Sequence, residues 1–419
     1  MVDNERKVRA RWVFPVAGPP VFQGMVIVRG GRVEEVSSRR AVGCEDLGNV
    51  AIVPGLVNAH SHLELSDCPV PLTPLRPFTA WIERLLQHRR TRPASADGAD
   101  SVTPLQRGAT EMLDAGTTVV GDIVDASWHP GGLDPLGPRT IAFRELLTLS
   151  AARIPEILTA AEAHLAAACA ELAFSPSARA GWQPGLSPHA PYSVHPQLLT
   201  GLVDLARQRG APLAMHVAET PAELQLLAGR GGEFQEFLQR MGVWNPEPFR
   251  GDWRIPDILR ELARGPLGLV VHGNFLQEPE YRLLAESPQL SVVYCPRTHA
   301  QFGHPPHPWR ELLKRGINVA LGTDSRASNP DLSLWGELQF LRHTFPGVPG
   351  ELLLDLGTRR GARALGLEDS LGTLSPGRRG DFAVVALPDR ADPSDPHDLL
   401  FDPASRIVKA WLAGQPVRA

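Results

Sequence analysis

His60 and His62 stand one residue apart at the end of a mostly apolar run, residues 50–57, broken only by Pro54 and Gly55. Side chains alternate along a strand with a period of two, so a His-x-His pair at a strand end sends both imidazoles to one side. Two neutral imidazoles aimed at one point begin a metal site. The pair carries little by itself in a chain with 14 histidines, and the missing ligands must come from other strand ends. His216 ends the run Ala211-Pro-Leu-Ala-Met215, with Glu219 three residues on; His272 ends residues 268–271; Asp324 lies just past residues 317–322. Three histidines and a carboxylate, with one position left open, suit Zn²⁺ or Fe²⁺. Such an ion can lower the pKa of bound water to about 7 and so supply hydroxide at neutral pH. Asp324 could ligate the ion and take the water's proton, Glu219 could carry a proton to the substrate, and His272 could polarise the attacked atom or hydrogen-bond the water. The set fits hydrolytic attack on an sp² carbon.

Each residue also has a plainer reading. His272 could be a core histidine bonded to backbone, Asp324 a turn residue or helix cap, and Glu219 a charge at the start of a helix near Ala222. Those readings leave unexplained why all of them sit at the same end of strands.

The elements that must position them alternate. Predicted strands are 53–59, 117–123, 139–144, 183–187, 212–216, 268–272, 290–295 and 317–322, several of them continuous apolar runs of the kind buried on both faces of a parallel sheet. Helical stretches at 198–209, 222–241, 281–286 and 308–315 lie between them. Eight strands over about 300 residues match a (β/α)8 TIM barrel, whose catalytic face is the C-terminal edge of the strands. A doubly wound open sheet is the alternative, but no Gly-rich phosphate loop follows the first strand. Residues 8–54 read as all-β, with strands at 8–16, 21–28 and 33–36 and a Gly30-Gly31 hairpin. β character returns after Ala364 in Asp381-Phe-Ala-Val-Val-Ala386 and in residues 406–412. The expected organisation is a small β-sandwich domain built from both chain ends, residues 1–54 and 368–419, around a hydrolase barrel at 55–367.

Composition bounds the partners. The 419 residues, 43% hydrophobic and 21% charged, suit a globular enzyme, and a net charge of −4 offers no footprint for nucleic acid. No stretch approaches 18 uninterrupted apolar residues, so no membrane span is expected; residues 157–174 carry Glu162, His164 and Glu171. Residues 1–11 do not read as a signal peptide. Cys44, Cys68, Cys169 and Cys295 are far apart and form no CxxC, which predicts reduced thiols and a cytoplasmic location. Residues 91–101 read as a surface loop. A small-molecule substrate is expected, and a homodimer is the default assembly.

Together these segments resemble the amidohydrolase superfamily, in its cytosine-deaminase and triazine-hydrolase-like branch. The matching stretches are Pro54-Gly-Leu-Val-Asn-Ala-His-Ser-His62, Ser187-Pro-His-Ala-Pro-Tyr192, Met215-His-Val-Ala-Glu219, Val271-His-Gly-Asn-Phe275 and Leu321-Gly-Thr-Asp-Ser-Arg-Ala-Ser-Asn329, with Gly377-Arg-Arg-Gly-Asp-Phe-Ala-Val-Val in the flanking β region. The resemblance implies His60, His62, His216 and Asp324 as metal ligands, Glu219 and His272 as proton-transfer and polarising groups, and His189 as a substrate contact. Binuclear relatives bridge two ions with a carboxylated lysine on a middle strand. The only lysines here are Lys7, Lys314 and Lys409, none between His62 and His216, so one divalent ion is expected, zinc before iron.

The subgroup it most resembles includes nucleoside and aminodeoxyfutalosine deaminases. Replacement of the exocyclic amine of a purine-like ring or nucleoside is therefore the leading expectation. A cyclic amide or an aryl chloride is the alternative bond, and a non-catalytic metal-binding barrel the alternative class. Arg144, at the end of the third predicted strand, could hold an anionic or ribosyl part of the substrate or form a salt bridge. Phe78-Thr-Ala-Trp81-Ile-Glu83 reads either as a substrate lid or as an amphipathic helix packed on the barrel. Cys295-Pro-Arg-Thr-His299 departs from the pattern of many relatives. With His304 and His307 it makes a His-rich segment that could shape the pocket, lie on the surface or hold a second metal.

Overall fold

A computed structural model describes residues 5–39, 41–68, 71–91, 103–129, 137–171, 181–251 and 253–417. The loop expected at 91–101 lies, beyond Thr91, outside the described residues, as does the side chain of Cys169.

Eight parallel strands follow one another around a ring: Leu56–Ser61, Thr117–Val124, Arg139–Leu146, Trp182–Pro188, Leu213–Val217, Gly268–His272, Leu290–Tyr294 and Asn318–Leu321. The fold is the expected (β/α)8 barrel. A parallel bridge between Ser61 and Asp324 joins the last strand to the first. The Asn58 side chain stitches the same seam, donating to Thr323 Oγ1 at 2.7 Å and accepting the Thr323 amide at 3.2 Å. Only glycine permits this closure at residue 322, where a Cβ would sit 2.9 Å from the His60 Cβ. Strand residues such as Val119, Leu213, Val270, Val292 and Val319 are fully buried, as a parallel sheet covered by helices requires.

The chain ends form two further sheets. A six-stranded sheet takes Trp12–Val13, Val21–Phe22 and Val50–Pro54 from the N-terminal end and Phe382–Ala386, Arg406–Leu412 and Gln415–Pro416 from the C-terminal end. Val50–Pro54 pairs antiparallel with Phe382–Ala386 across the join. A four-stranded sheet holds Arg6–Arg9, Met25–Arg29, Arg32–Ser37 and Glu45–Asp46. Val8, Val26, Val28, Ile52, Phe382 and Trp411 share one core. The hairpin turn has Gly30 and Gly31 at φ 57° and 78°, the double positive φ of a type I′ turn.

Three expectations change. The apolar run 50–57 is two strands in two sheets, divided at Gly55, where a Cβ would lie 2.1 Å from Thr118 Oγ1. His60 consequently sits inside the first barrel strand rather than past its end. The strands expected at 8–16 and 21–28 are likewise each two, Arg6–Arg9 with Trp12–Val13 and Val21–Phe22 with Met25–Arg29, each pair divided between the two end sheets. The helix expected at 222–241 is broken into Pro221–Leu227 and Glu233–Arg240, because Gly229, Gly231 and Gly232 adopt positive φ between them. No helix among the described residues is long and apolar enough to cross a membrane.

Candidate active site

The C-terminal edge of the barrel gathers the residues that the sequence singled out. His60 lies in the first strand and His62 directly after it, His189 follows the fourth, His216 lies in the fifth, His272 ends the sixth, and Asp324 follows the eighth. Ligand atoms of His60, His216 and His272 lie within 4.8 Å of one another, and so do those of His60, His62 and Asp324. His60 Nε2 and His62 Nε2 are each 3.6 Å from Asp324 Oδ1.

Neighbouring groups turn each donor toward the common point. The His189 carbonyl accepts the Nδ1–H of His216 at 2.9 Å, which leaves Nε2 of His216 as a lone-pair donor. The Ser328 hydroxyl donates to Asp324 Oδ2 at 2.6 Å and leaves Oδ1 facing the histidines. Asp324 and His272 both hold the left-handed conformation, at φ 56° and 68°. That strain, on non-glycine residues at two strand ends, marks a place where geometry has been favoured over stability.

The electrostatics favour neutral imidazoles. Burial pushes His216 down to about 3 and holds His62 and His272 well below the ordinary histidine range. Burial would raise Asp324, but the rings of His60, His62 and His272 crowded against it outweigh that and hold the carboxyl below the ordinary aspartate range. Both ring nitrogens of His60 and Nδ1 of His62 are buried without a hydrogen-bond partner among the described residues. Buried polar atoms are normally satisfied. A cation ligated by nitrogen and carboxylate oxygen would satisfy these, and the donor set fits zinc or iron. Lys7 and Lys409 lie on strands of the end sheets and Lys314 on the helix Trp309–Lys314, so no lysine reaches this point.

Glu219 and His272 face each other, with Glu219 Oε1 3.4 Å from His272 Nε2. Burial, with the charges of Asp324 and Glu223 behind it, raises Glu219 well above the usual carboxylate range. Glu223 was not singled out from the sequence, yet it sets Glu219 in place. Its carboxylate accepts the amides of Ala218 at 2.8 Å and Glu219 at 2.9 Å, while its own amide donates to Thr220 Oγ1. Thr220-Pro-Ala-Glu223 is a capping-box pattern and was the signal available in the sequence.

A cleft of about 800 Å³ opens beside these groups. Phe78, Trp81, Ile82, Leu85 and Leu86 of the helix Phe78–Thr91 form one wall, and Phe237, Leu238, Met241 and Trp244 face it. The two readings of the 78–83 segment merge, since Phe78 and Trp81 pack on Phe302 while also walling the cleft. His189 lines the cleft with its Nδ1 2.6 Å from the Ser193 hydroxyl and its Nε2 3.8 Å from Glu145 Oε1; burial brings it down to about 4. Arg144 does not line the cleft. Its guanidinium donates to the Asp125 carbonyl, and strand alternation gives the cleft Glu145 instead. Two guanidinium groups line the cleft, Arg89, paired with Glu64, and Arg153, paired with Glu156. His299, His304 and His307 do not line the cleft either, and His299 and His307 are buried rather than on the surface.

The family model described as the amidohydrolase family matches residues 51–417. An aminodeoxyfutalosine deaminase of Deinococcus radiodurans is 30% identical over 366 residues, 83% of this chain and 81% of that protein. A 5-methylthioadenosine/S-adenosylhomocysteine deaminase of Moorella thermoacetica is 27% identical over 89% of this chain and 83% of its own length. Among solved structures, Helicobacter pylori aminofutalosine deaminase in complex with methylthio-coformycin superposes with a TM-score of 0.83 at 20% identity, covering 99% of this chain and all of that one.

Proposed function

The chain belongs to the amidohydrolase family, and from that premise we propose that it is a metal-dependent deaminase of 6-aminopurine nucleosides carrying an apolar 5′ substituent. The observation that carries this reading is the convergence of His60, His62, His216 and Asp324 beside the Glu219–His272 pair, at the mouth of a largely apolar cleft. Those four residues would hold one divalent ion, zinc before iron. When bound, the ion would act as a Lewis acid and make water nucleophilic at neutral pH.

The chain's own residues do the remaining work. Asp324, ionised, takes a proton from the attacking water. Glu219, kept protonated by burial, delivers its proton to the ring nitrogen next to the amine-bearing carbon; Asp324 passes the water's proton to the amine, which leaves as ammonia, and the new hydroxyl returns a proton to Glu219 as the carbonyl forms. His272, neutral, hydrogen-bonds the nucleophile and fixes its line of approach. His189 holds the purine edge. The wall of Phe78, Trp81, Ile82, Leu85 and Leu86 takes the 5′ substituent out of water, which suits the thioether and aromatic substrates for which the relatives are named. Cyclic amides and aryl chlorides are not favoured: the curated relatives bear deaminase names, and the likeness to triazine hydrolase, at 20% identity, is one of fold. We assign the protein to the cytoplasm, where thiols such as Cys44 and Cys295 stay reduced.

Ammonia release from metal-loaded protein tests the reading, with adenosine, 5′-methylthioadenosine, S-adenosylhomocysteine and aminodeoxyfutalosine as substrates and cytosine and a pterin as controls. Turnover of a 5′-substituted nucleoside is expected. No ammonia from any of the four nucleosides rejects it.

A further inference from the structure

The His-rich segment after the seventh barrel strand neither lines the cleft nor joins the histidine cluster, yet His307 ends on the backbone of His272, one of the two proton-handling residues. The Trp309 amide donates to His307 Nδ1 at 3.0 Å. That nitrogen is therefore an acceptor, and the ring proton sits on Nε2, which donates to the His272 carbonyl at 2.8 Å. The His307 ring is stacked on Tyr294, with centroids 4.0 Å apart and planes 18° from parallel. Its target is the residue at φ 68°, in the left-handed region that few residues with a side chain occupy. The matching contact on the other residue comes from Asn274, whose Nδ2 donates to the Glu219 carbonyl at 3.0 Å. His299 packs beside it, and its Nε2 donates to the Pro305 carbonyl at 2.9 Å. His299, Asn274 and His307 are all buried.

We propose that His307 is a positioning residue that holds His272 in its left-handed conformation, and that Asn274 does the same for Glu219. The two thereby set the 3.4 Å contact between His272 and Glu219 from behind, without touching substrate. This rests on the roles assigned above to Glu219 and His272. The physical argument is that proton transfer tolerates little displacement, and an error of about 1 Å can cost about a hundredfold in rate.

The test compares His307→Phe with His307→Gln on the metal-loaded enzyme. Phenylalanine keeps a flat ring against Tyr294 and removes both hydrogen bonds, whereas glutamine retains an N–H that can reach the His272 carbonyl. H307F is expected to lose roughly tenfold to a hundredfold in kcat, with KM within about twofold and metal content unchanged, and H307Q to recover most of the loss. Asn274→Asp, which places an acceptor against the Glu219 carbonyl, is expected to show the same split and serves if H307F does not fold. Crystal structures of the variants give a readout free of any substrate: in H307F the His272 backbone leaves the left-handed region, and in N274D Glu219 moves away from His272. An unchanged His272 in H307F, wild-type kcat, or a loss that follows folded fraction and is not restored by glutamine overturns the proposal. Wild-type protein inactive on every nucleoside overturns the functional reading instead, and the structural comparison still decides this one.

Discussion

His272 Nε2 stands 3.4 Å from Glu219 Oε1, and the pair is not an ion pair. Burial holds the imidazole deprotonated, and burial together with the charge of Asp324 raises the carboxyl well above the usual carboxylate range. A neutral acid beside a neutral base is an arrangement for passing one proton.

Glu219→Gln therefore removes the transferable proton while keeping the shape. kcat is expected to fall by about 10² to 10⁴, with the metal content of the purified protein unchanged. Initial rates alongside elemental analysis measure both. Activity that survives the change would show that Glu219 is not the proton carrier.

Metal removal should act on stability as well as rate. His60 and His62 present buried ring nitrogens that have no partner among the described residues, so on the proposed ligand set the folded chain would bind the ion and the unfolded chain would not. At an ion concentration about a hundred times Kd, the gain is about 2.7 kcal/mol. Chelation is expected to abolish turnover and lower Tm, and zinc or iron to restore both. A Tm indifferent to chelator would mean that these side chains hold no ion.

The sequence showed the site more fully than it showed what holds the site. The ligand and proton-transfer candidates were legible because each ends an apolar strand, and a parallel barrel must bring such ends to one rim. Its supporting residues were not. Glu223 reads as an ordinary helix-start residue until its carboxylate is seen on the amides of Ala218 and Glu219. His307 acts through a carbonyl 35 residues away in sequence, a distance that no local pattern reports. Arg144 looked suited to the cleft because it ends a strand, but in a strand the neighbour one position on faces the other way, and Glu145 lines the cleft. The split at Gly55 was hidden because two strands in different sheets can share one apolar run.

Glu223 gives a pH signature. Burial pushes it up to about 7, against the pull of the Glu219, Ala218 and Thr220 bonds. Between its unfolded value of 4.5 and about 7, the folded chain holds this proton and the unfolded chain does not. Stability must then fall as pH rises through that window, by on the order of 3 kcal/mol from this group. Glu223→Gln cannot titrate and can accept only one of the two amides, so it is expected to be less stable than wild type, with the gap narrowing as pH rises from 5 to 8. Denaturant unfolding across that range measures the gap, and parallel curves would remove Glu223 as the cause.

The apolar wall should set substrate preference without touching the chemistry. Leu86 lines the cleft and is half-buried, so Leu86→Ser adds a hydroxyl to the wall with little damage to the core. Taking apolar contact from a 5′ substituent costs about 1 to 2 kcal/mol, which is roughly a tenfold rise in KM. The rise is expected with 5′-methylthioadenosine or aminodeoxyfutalosine and not with adenosine, whose 5′ hydroxyl gains nothing from that wall. kcat should stay within about twofold for all three, because Glu219, His272 and Asp324 are undisturbed. KM values measured side by side for the three nucleosides decide the matter: an equal rise with adenosine would mean that the substituent lies elsewhere.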